Sequence, residues 1–145
     1  MYRHILIPTD GSDLSGLAVH EGVKLATALD ARVTALTVSS PFHTVALDPV
    51  MVTYTPEQYQ KDCAAAAAQY LGVATKAAQA AGVPCEGVHV VEDHPYQAII
   101  DTARGKGCDL IFMASHGRKG MSSLLLGSET TKVLTHTKIP VLVCR

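Results

Sequence analysis

The chain has 145 residues, the length of one domain and enough to bury a sizeable core. Apolar residues make up 48% of it, charged residues 17%, and the formal net charge is −1. That composition excludes a disordered chain and offers no basic field for a nucleic-acid backbone, so no nucleic-acid partner is expected. No run reaches the roughly 20 apolar residues of a membrane span, which argues against membrane insertion.

The N-terminal stretch Met1-Tyr2-Arg3-His4-Ile5-Leu6-Ile7-Pro8 is a short apolar run ending at proline. It has neither the apolar core nor the cleavage pattern of a secretory signal, so a cytoplasmic location is expected. Cys63, Cys85, Cys108 and Cys144 lie far apart with no CxxC pair. They read as reduced, mostly buried thiols rather than zinc ligands.

Tyr2 to Pro8 predicts a buried strand, and Thr9-Asp10-Gly11-Ser12 a turn. Leu14, Leu17, Ala18, Val23, Leu25, Ala26 and Leu29 are spaced for an amphipathic helix over Asp13 to Leu29. Ala31 to Val38 reads as the second strand. Ser39 to Pro56 contains Pro41, Pro49 and Pro56 without a clear period, and reads as a long loop. Glu57 to Ala81 is an alanine-rich helix stopped by Gly82-Val83-Pro84, its run Ala64 to Ala68 suited to close packing on a sheet. Cys85 to Val91 is the third strand, Pro95 to Arg104 a helix, and Cys108 to Ala114 the fourth strand. A helix from Ser128 to about Thr137 and a last strand, Pro140 to Cys144, follow.

Strands alternating with helices predict a parallel sheet covered on both faces, an α/β three-layer sandwich. No repeat or linker interrupts it, so a single domain over residues 1–145 is expected. In such sheets ligands bind beyond the C-terminal ends of the strands. Two segments occupy that place. One is Pro8-Thr9-Asp10-Gly11-Ser12. The other is Ala114-Ser115-His116-Gly117, followed after nine residues by Gly127-Ser128 at a helix start. Glycine lets backbone approach an anion, and a helix start presents free N–H groups to it. A nucleotide is therefore the first ligand to suspect. If strands one and four are neighbours, the two loops face each other.

Other patterns read more simply. Gly11 and Gly16 have the glycine spacing of a P-loop, but Leu17-Ala18 stand where Lys-Ser/Thr is required. His89, Glu92, Asp93 and His94 read as a solvated strand end rather than a metal site, since consecutive strand residues point to opposite faces. His116 lacks a nucleophile or an orienting acid beside it and reads as a loop residue rather than a general base. Tyr54, Tyr59 and Tyr70 read as packing residues. The apolar last strand, if at a sheet edge, invites pairing with a second copy across a two-fold axis.

The chain resembles the universal stress proteins along essentially its whole length. The resemblance rests on Ile5-Leu6-Ile7-Pro8-Thr9-Asp10-Gly11-Ser12, Val33-Thr34-Ala35-Leu36-Thr37-Val38, Met113-Ala114-Ser115-His116-Gly117-Arg118-Lys119-Gly120, Leu124-Leu125-Leu126-Gly127-Ser128 and Ile139-Pro140-Val141-Leu142-Val143. It implies a five-stranded parallel sheet of order 3-2-1-4-5 and a homodimer. The ATP-binding branch carries G-x-x-G, nine residues, then G-[S/T], matched here at Gly117, Gly127 and Ser128. Ala114 stands in place of the first glycine. Its methyl group would crowd a ligand, or exclude a positive φ, unless the backbone there is extended.

The resemblance implies that Asp10 contacts the nucleoside or a divalent Mg or Mn ion, beside Pro8 and Thr9. Val38 would line the adenine pocket through its backbone, with Met113 and Ala114 near ribose and base. His116, Gly117, Arg118, Gly127, Ser128, Glu129 and Thr130 would surround the phosphates of ATP. A Glu129 carboxylate pointing inward would repel those phosphates. With no evident base to activate water, at most slow ATP hydrolysis is expected. A stress-response switch is the expected role, with nucleotide ordering the Ser39–Pro56 and Arg118–Ser123 loops for an unidentified protein partner. The alternative is a nucleotide-independent dimeric interaction module whose pocket has decayed at Ala114.

Overall fold

The computed structural model describes residues 1–49, 54–117 and 125–145. Its strands are β1 (His4–Pro8), β2 (Arg32–Ser39), β3 (Cys85–Val91), β4 (Leu110–Ala114) and β5 (Val141–Cys144). They form one parallel sheet in the order β3-β2-β1-β4-β5. The helices are α1 (Asp13–Leu29), α2 (Phe42–Val45), α3 (Pro56–Ala80), α4 (Pro95–Lys106) and α5 (Ser128–His136). Both the three-layer class and the strand order expected from the sequence are found. Among the described residues no helix is long and apolar enough to cross a membrane.

Each face of the sheet has its own core. Ile5, Ile7, Val33, Ala35, Leu110 and Phe112 pack beneath α1 and α3. The alternate residues Leu6, Leu36, Ile111 and Met113 pack beneath α4 and α5. This period-two division is what a strand buried on both faces requires. It holds best at the centre, because β3 and β5 lie at the edges and are only partly buried.

Local chemistry sets the element ends. Ser12 caps α1, its side chain accepting the Ser15 N–H at 3.2 Å, and Asp30 ends the helix in a left-handed conformation at φ 52°. Thr55 caps α3 ahead of Pro56. Gly107 ends α4 at φ 71°. The Asp109 carboxylate accepts the Arg3 and His4 N–H groups at 2.9 and 3.0 Å, so a side chain rather than a strand precedes β1. This is why β1 begins at His4 instead of Tyr2, and β4 at Leu110 instead of Cys108.

Two sequence expectations change. The Ser39–Pro56 segment is not wholly loop, since it contains the four-residue α2; residues 50–53 lie outside the described residues. α3 packs on β2 and β3, but only part of the alanine run faces inward. Ala64, Ala65 and Ala68 are exposed, and Ala67, Ala74 and Ala78 form the buried stripe of α3. Alanine serves the exposed positions through helix propensity. Tyr59 packs against Phe42 and Tyr54, with ring centroids 5.5 and 6.2 Å away, and the Tyr70 ring lies over Gly11.

His4 is a buried imidazole at the base of the sheet, 6% exposed. Its Nε2 meets the Thr34 hydroxyl at 2.8 Å, while Nδ1 has no hydrogen-bond partner among the described residues. Burial, reinforced by the positive charge of Arg32, holds its pKa below the ordinary value; Asp109, Glu86 and the Lys106 backbone act oppositely without reversing this. The folded chain therefore takes up this proton less readily than the unfolded chain. Stability from neutral His4 is complete above about pH 6.5 and is lost as pH falls below it, towards the lowered folded value. Urea unfolding between about pH 7 and pH 5 is expected to show falling stability in the native chain and a flatter profile in His4→Gln.

A pair of glycines tests the packing. A Cβ on buried Gly22 of α1 would lie 2.5 Å from Ile7 Cδ1 and 3.3 Å from Phe112 Cδ1, whereas one on Gly72 of α3 would meet nothing within 4 Å. Gly22→Ala is expected to destabilise by about 1–3 kcal/mol. Gly72→Ala is expected to stabilise by about 0.5–1 kcal/mol, both read from denaturant midpoints.

Candidate functional site

The first of the two loops is built from Thr9. Its N–H donates to the Leu36 carbonyl at 2.8 Å, its carbonyl accepts the Thr37 hydroxyl at 2.9 Å, and its own hydroxyl meets Ser15 Oγ at 3.2 Å. These bonds pin the end of β1 to β2 and α1. Asp10 follows, with Oδ1 accepting the Ser12 N–H at 3.0 Å in an Asx turn. Gly11 takes φ 78°, which the turn needs and other residues resist, and the Tyr70 ring occupies the space a side chain would need.

The second loop leaves β4 beside the first, because β4 pairs directly with β1. Met113 and Ala114 are buried. Ala114 is the last residue of β4, lies opposite Cys144, and belongs to the core beneath α1 and α3. Asp30 is the only non-glycine with positive φ among the described residues, so Ala114 does not need the freedom of glycine. Its methyl group is absorbed by the core.

Beyond Ala114 the chain folds back on the start of α5. The Gly127 N–H donates to the Ser115 carbonyl at 2.7 Å. The Thr130 hydroxyl, 2% exposed, donates to the Ala114 carbonyl at 3.0 Å. A Cβ on Gly127 would lie 2.9 Å from the His116 Cα, so only glycine fits. A Cβ on Gly117 would run into the Asp10 carboxylate. The loops after β1 and β4 thus touch at Asp10 and Gly117, closing one crevice over the sheet edge. His116 lies between them, its Nδ1 3.2 Å from Ser115 Oγ.

Among the described residues no side chain caps the start of α5. Gly127 is its N-cap and supplies no side-chain bond, and Ser128 is the first helical residue, exposed, rather than the cap. The first-turn N–H groups of a helix have no intrahelical partner, and the helix dipole adds partial positive charge there. The Glu129 carboxylate does not enter this space. Its Oε2 accepts the Tyr96 N–H at 2.9 Å at the start of α4, and Oε1 lies 3.4 Å from Lys132 Nζ. Glu129 was expected among the groups around phosphate; its side chain instead serves a neighbouring helix whose own N-cap, His94, makes no side-chain bond. Nothing in the local sequence signals that role, which depends on α4 and α5 lying side by side.

Of the other predicted positions, Pro8 ends β1 and Val38 is the last residue but one of β2, packed against the core beneath α4 and α5. Arg118 and the Arg118–Ser123 loop lie outside the described residues. Among the described residues, no group of three or more His, Cys, Asp or Glu side chains is arranged to hold a metal ion. His89 instead pairs with Ser39 at 2.8 Å, and Asp93 with Thr44 and His43.

The model of the universal stress protein family matches residues 1–145. Universal stress protein MJ0531 of Methanocaldococcus jannaschii is 32% identical, with all of this chain and 83% of the relative aligned. Among solved structures, that of the protein MJ0577 superposes with a TM-score of 0.83 at 26% identity, covering 99% of this chain and 96% of the other. A universal stress protein in complex with cAMP superposes with a TM-score of 0.68, also at 26% identity, covering 99% and 97%. Whole-length agreement in sequence pattern, strand order and loop placement leads to one conclusion: the chain belongs to the universal stress protein family.

Proposed function

We propose that this protein binds an adenine nucleotide, ATP foremost, and acts as a nucleotide-dependent switch in a stress response. The observation that carries this reading is the crevice where Asp10 meets Gly117 beside the side-chain-free start of α5. A family member in complex with cAMP supports an adenine nucleotide as the ligand class. Gly117, Gly127 and the first-turn N–H groups of Ser128, Glu129 and Thr130 would hold the phosphates. Met113 and Ala114 would flank ribose and base, and the Val38 backbone would meet the adenine. Asp10 would take the ribose hydroxyls or share a Mg or Mn ion with phosphate oxygens. The core placement of Ala114 favours an open pocket over a decayed one.

The role is that of a sensor more than an enzyme. His116 meets the Ser115 hydroxyl through Nδ1, and among the described residues no acid orients its ring. Slow hydrolysis is the most such a site would deliver. A homodimer through β5 completes the reading. β5 is an edge strand, and Leu142 on it and Leu134 on α5 are 40% and 42% exposed, apolar surface that a second copy would cover. Reduced cysteines and the family's soluble architecture suit the cytoplasm.

Calorimetry with Mg-ATP is expected to show saturable binding that Gly127→Glu abolishes, since that side chain would both collide with the His116 backbone and put a carboxylate at the phosphate site. Absence of binding by the native chain would overturn the reading. Thr130→Val leaves the buried Ala114 carbonyl without its donor; a stability loss of about 1–3 kcal/mol and weaker ATP binding are expected. Sedimentation at micromolar concentration is expected to show a dimer that Leu142→Arg dissociates.

A further inference from the structure

A second cavity lies on the other side of β2 from the core that holds Val38. Its volume is about 370 Å³, within the roughly 300–1,000 Å³ of small-molecule sites. Ser39, Phe42, Tyr59, Cys63, His89 and Val91 line it. It occupies the space between the C-terminal ends of β2 and β3 and the first turns of α3, with Phe42 and His43 of α2 also on its lining.

The lining selects a ligand chemistry. Among the described residues no Lys, Arg, Asp or Glu side chain lines the cavity. His43, at its rim, lies 3.4 Å from Asp93. The described lining therefore carries no fixed charge to attract an ion. Its apolar surfaces are the tilted Phe42 and Tyr59 rings and Val91, which is 57% exposed despite standing on a strand. Aromatic faces and edges favour another planar ring.

The polar groups are few and fixed. His89 Nε2 is engaged by Ser39 Oγ at 2.8 Å, which sets the ring plane, and among the described residues Nδ1 has no hydrogen-bond partner. The Tyr59 hydroxyl donates to the Ser40 carbonyl at 2.6 Å. Burial, aided by the Cys63 sulfur, raises its pKa to about 12, so it remains a donor at neutral pH. The Gln60 amide and the Cys63 thiol complete the wall.

The Tyr59–Ser40 bond fixes the segment just before α2, and Thr44 and His43 of α2 contact Asp93, so the wall that α2 supplies is held in place. We propose that the cavity beneath α2 is a second ligand site, for an uncharged planar nitrogen heteroaromatic, seated on Phe42, Tyr59 and Val91 and hydrogen-bonded to His89. The site is separate from the crevice at Asp10 and Gly117 and does not depend on nucleotide binding there.

Indole is the probe: it is neutral, planar and carries one ring N–H. The readout is the alkylation rate of each cysteine by iodoacetamide, mapped by mass spectrometry with and without indole. Cys63 lines the cavity, while Cys85 and Cys144 are comparably half-buried elsewhere and serve as internal controls. Indole at ten times its dissociation constant is expected to slow Cys63 alkylation by about elevenfold, from 1 + [L]/Kd, and to leave Cys85 and Cys144 unchanged. The protection is expected to weaken in His89→Phe, which keeps a ring of similar size and removes the nitrogens. Cys63 alkylation unaffected by indole, equal slowing of all three cysteines, or full protection in a folded His89→Phe chain would each overturn the proposal.

Discussion

Everything functional in this molecule depends on β1 being enclosed. Its first four residues are buried, with β2 on one side, β4 on the other and helices over both faces. A strand in that position has no freedom of register, because a one-residue slip would exchange the contents of the two cores. The connections from β1 and β4 therefore leave the sheet at one edge, side by side. Asp10 reaches Gly117 because β1 cannot move relative to β4.

Buried side-chain hydroxyls turn that constraint into a site. Thr37 holds the Thr9 carbonyl, and Thr130 holds the Ala114 carbonyl. Each satisfies a backbone acceptor just where its strand stops and ladder bonds run out. The same economy leaves the start of α5 without a side-chain cap. Glu129 sits close enough to serve there but bonds the start of α4 instead. Lys132 lies over the Tyr96 ring, and His136 stacks near it at 5.1 Å, so α4 and α5 are joined by polar and aromatic contacts.

Much of this was readable from residue order. α1 was legible through its spaced apolar residues, α3 through its alanine-rich run stopped by Gly82-Val83-Pro84, and α4 through Pro95 at its start, since starts and stops are local chemistry. The two loops were legible because Gly11, Gly117 and Gly127 follow apolar strands. α2 was not, because four residues carry no period to read. The alanine run was legible as helix but not in its facing, because alanine favours a helix whether it faces a sheet or water.

By itself, the amino-acid order determined the alternation of strand and helix, the parallel sheet that this forces, and the two glycine-bearing loops. These follow from local propensity and from periodicity, which neighbouring residues decide among themselves. Tertiary structure alone decided which way side chains near the loops turn. Ala114 directs its methyl group into the core beneath α1 and α3, and Glu129 directs its carboxylate to α4, because strand pairing and helix adjacency bring distant residues within bonding distance. The cavity beneath α2 belongs to the same class, since Ser39, Cys63 and His89 meet only when β2, α3 and β3 are packed together.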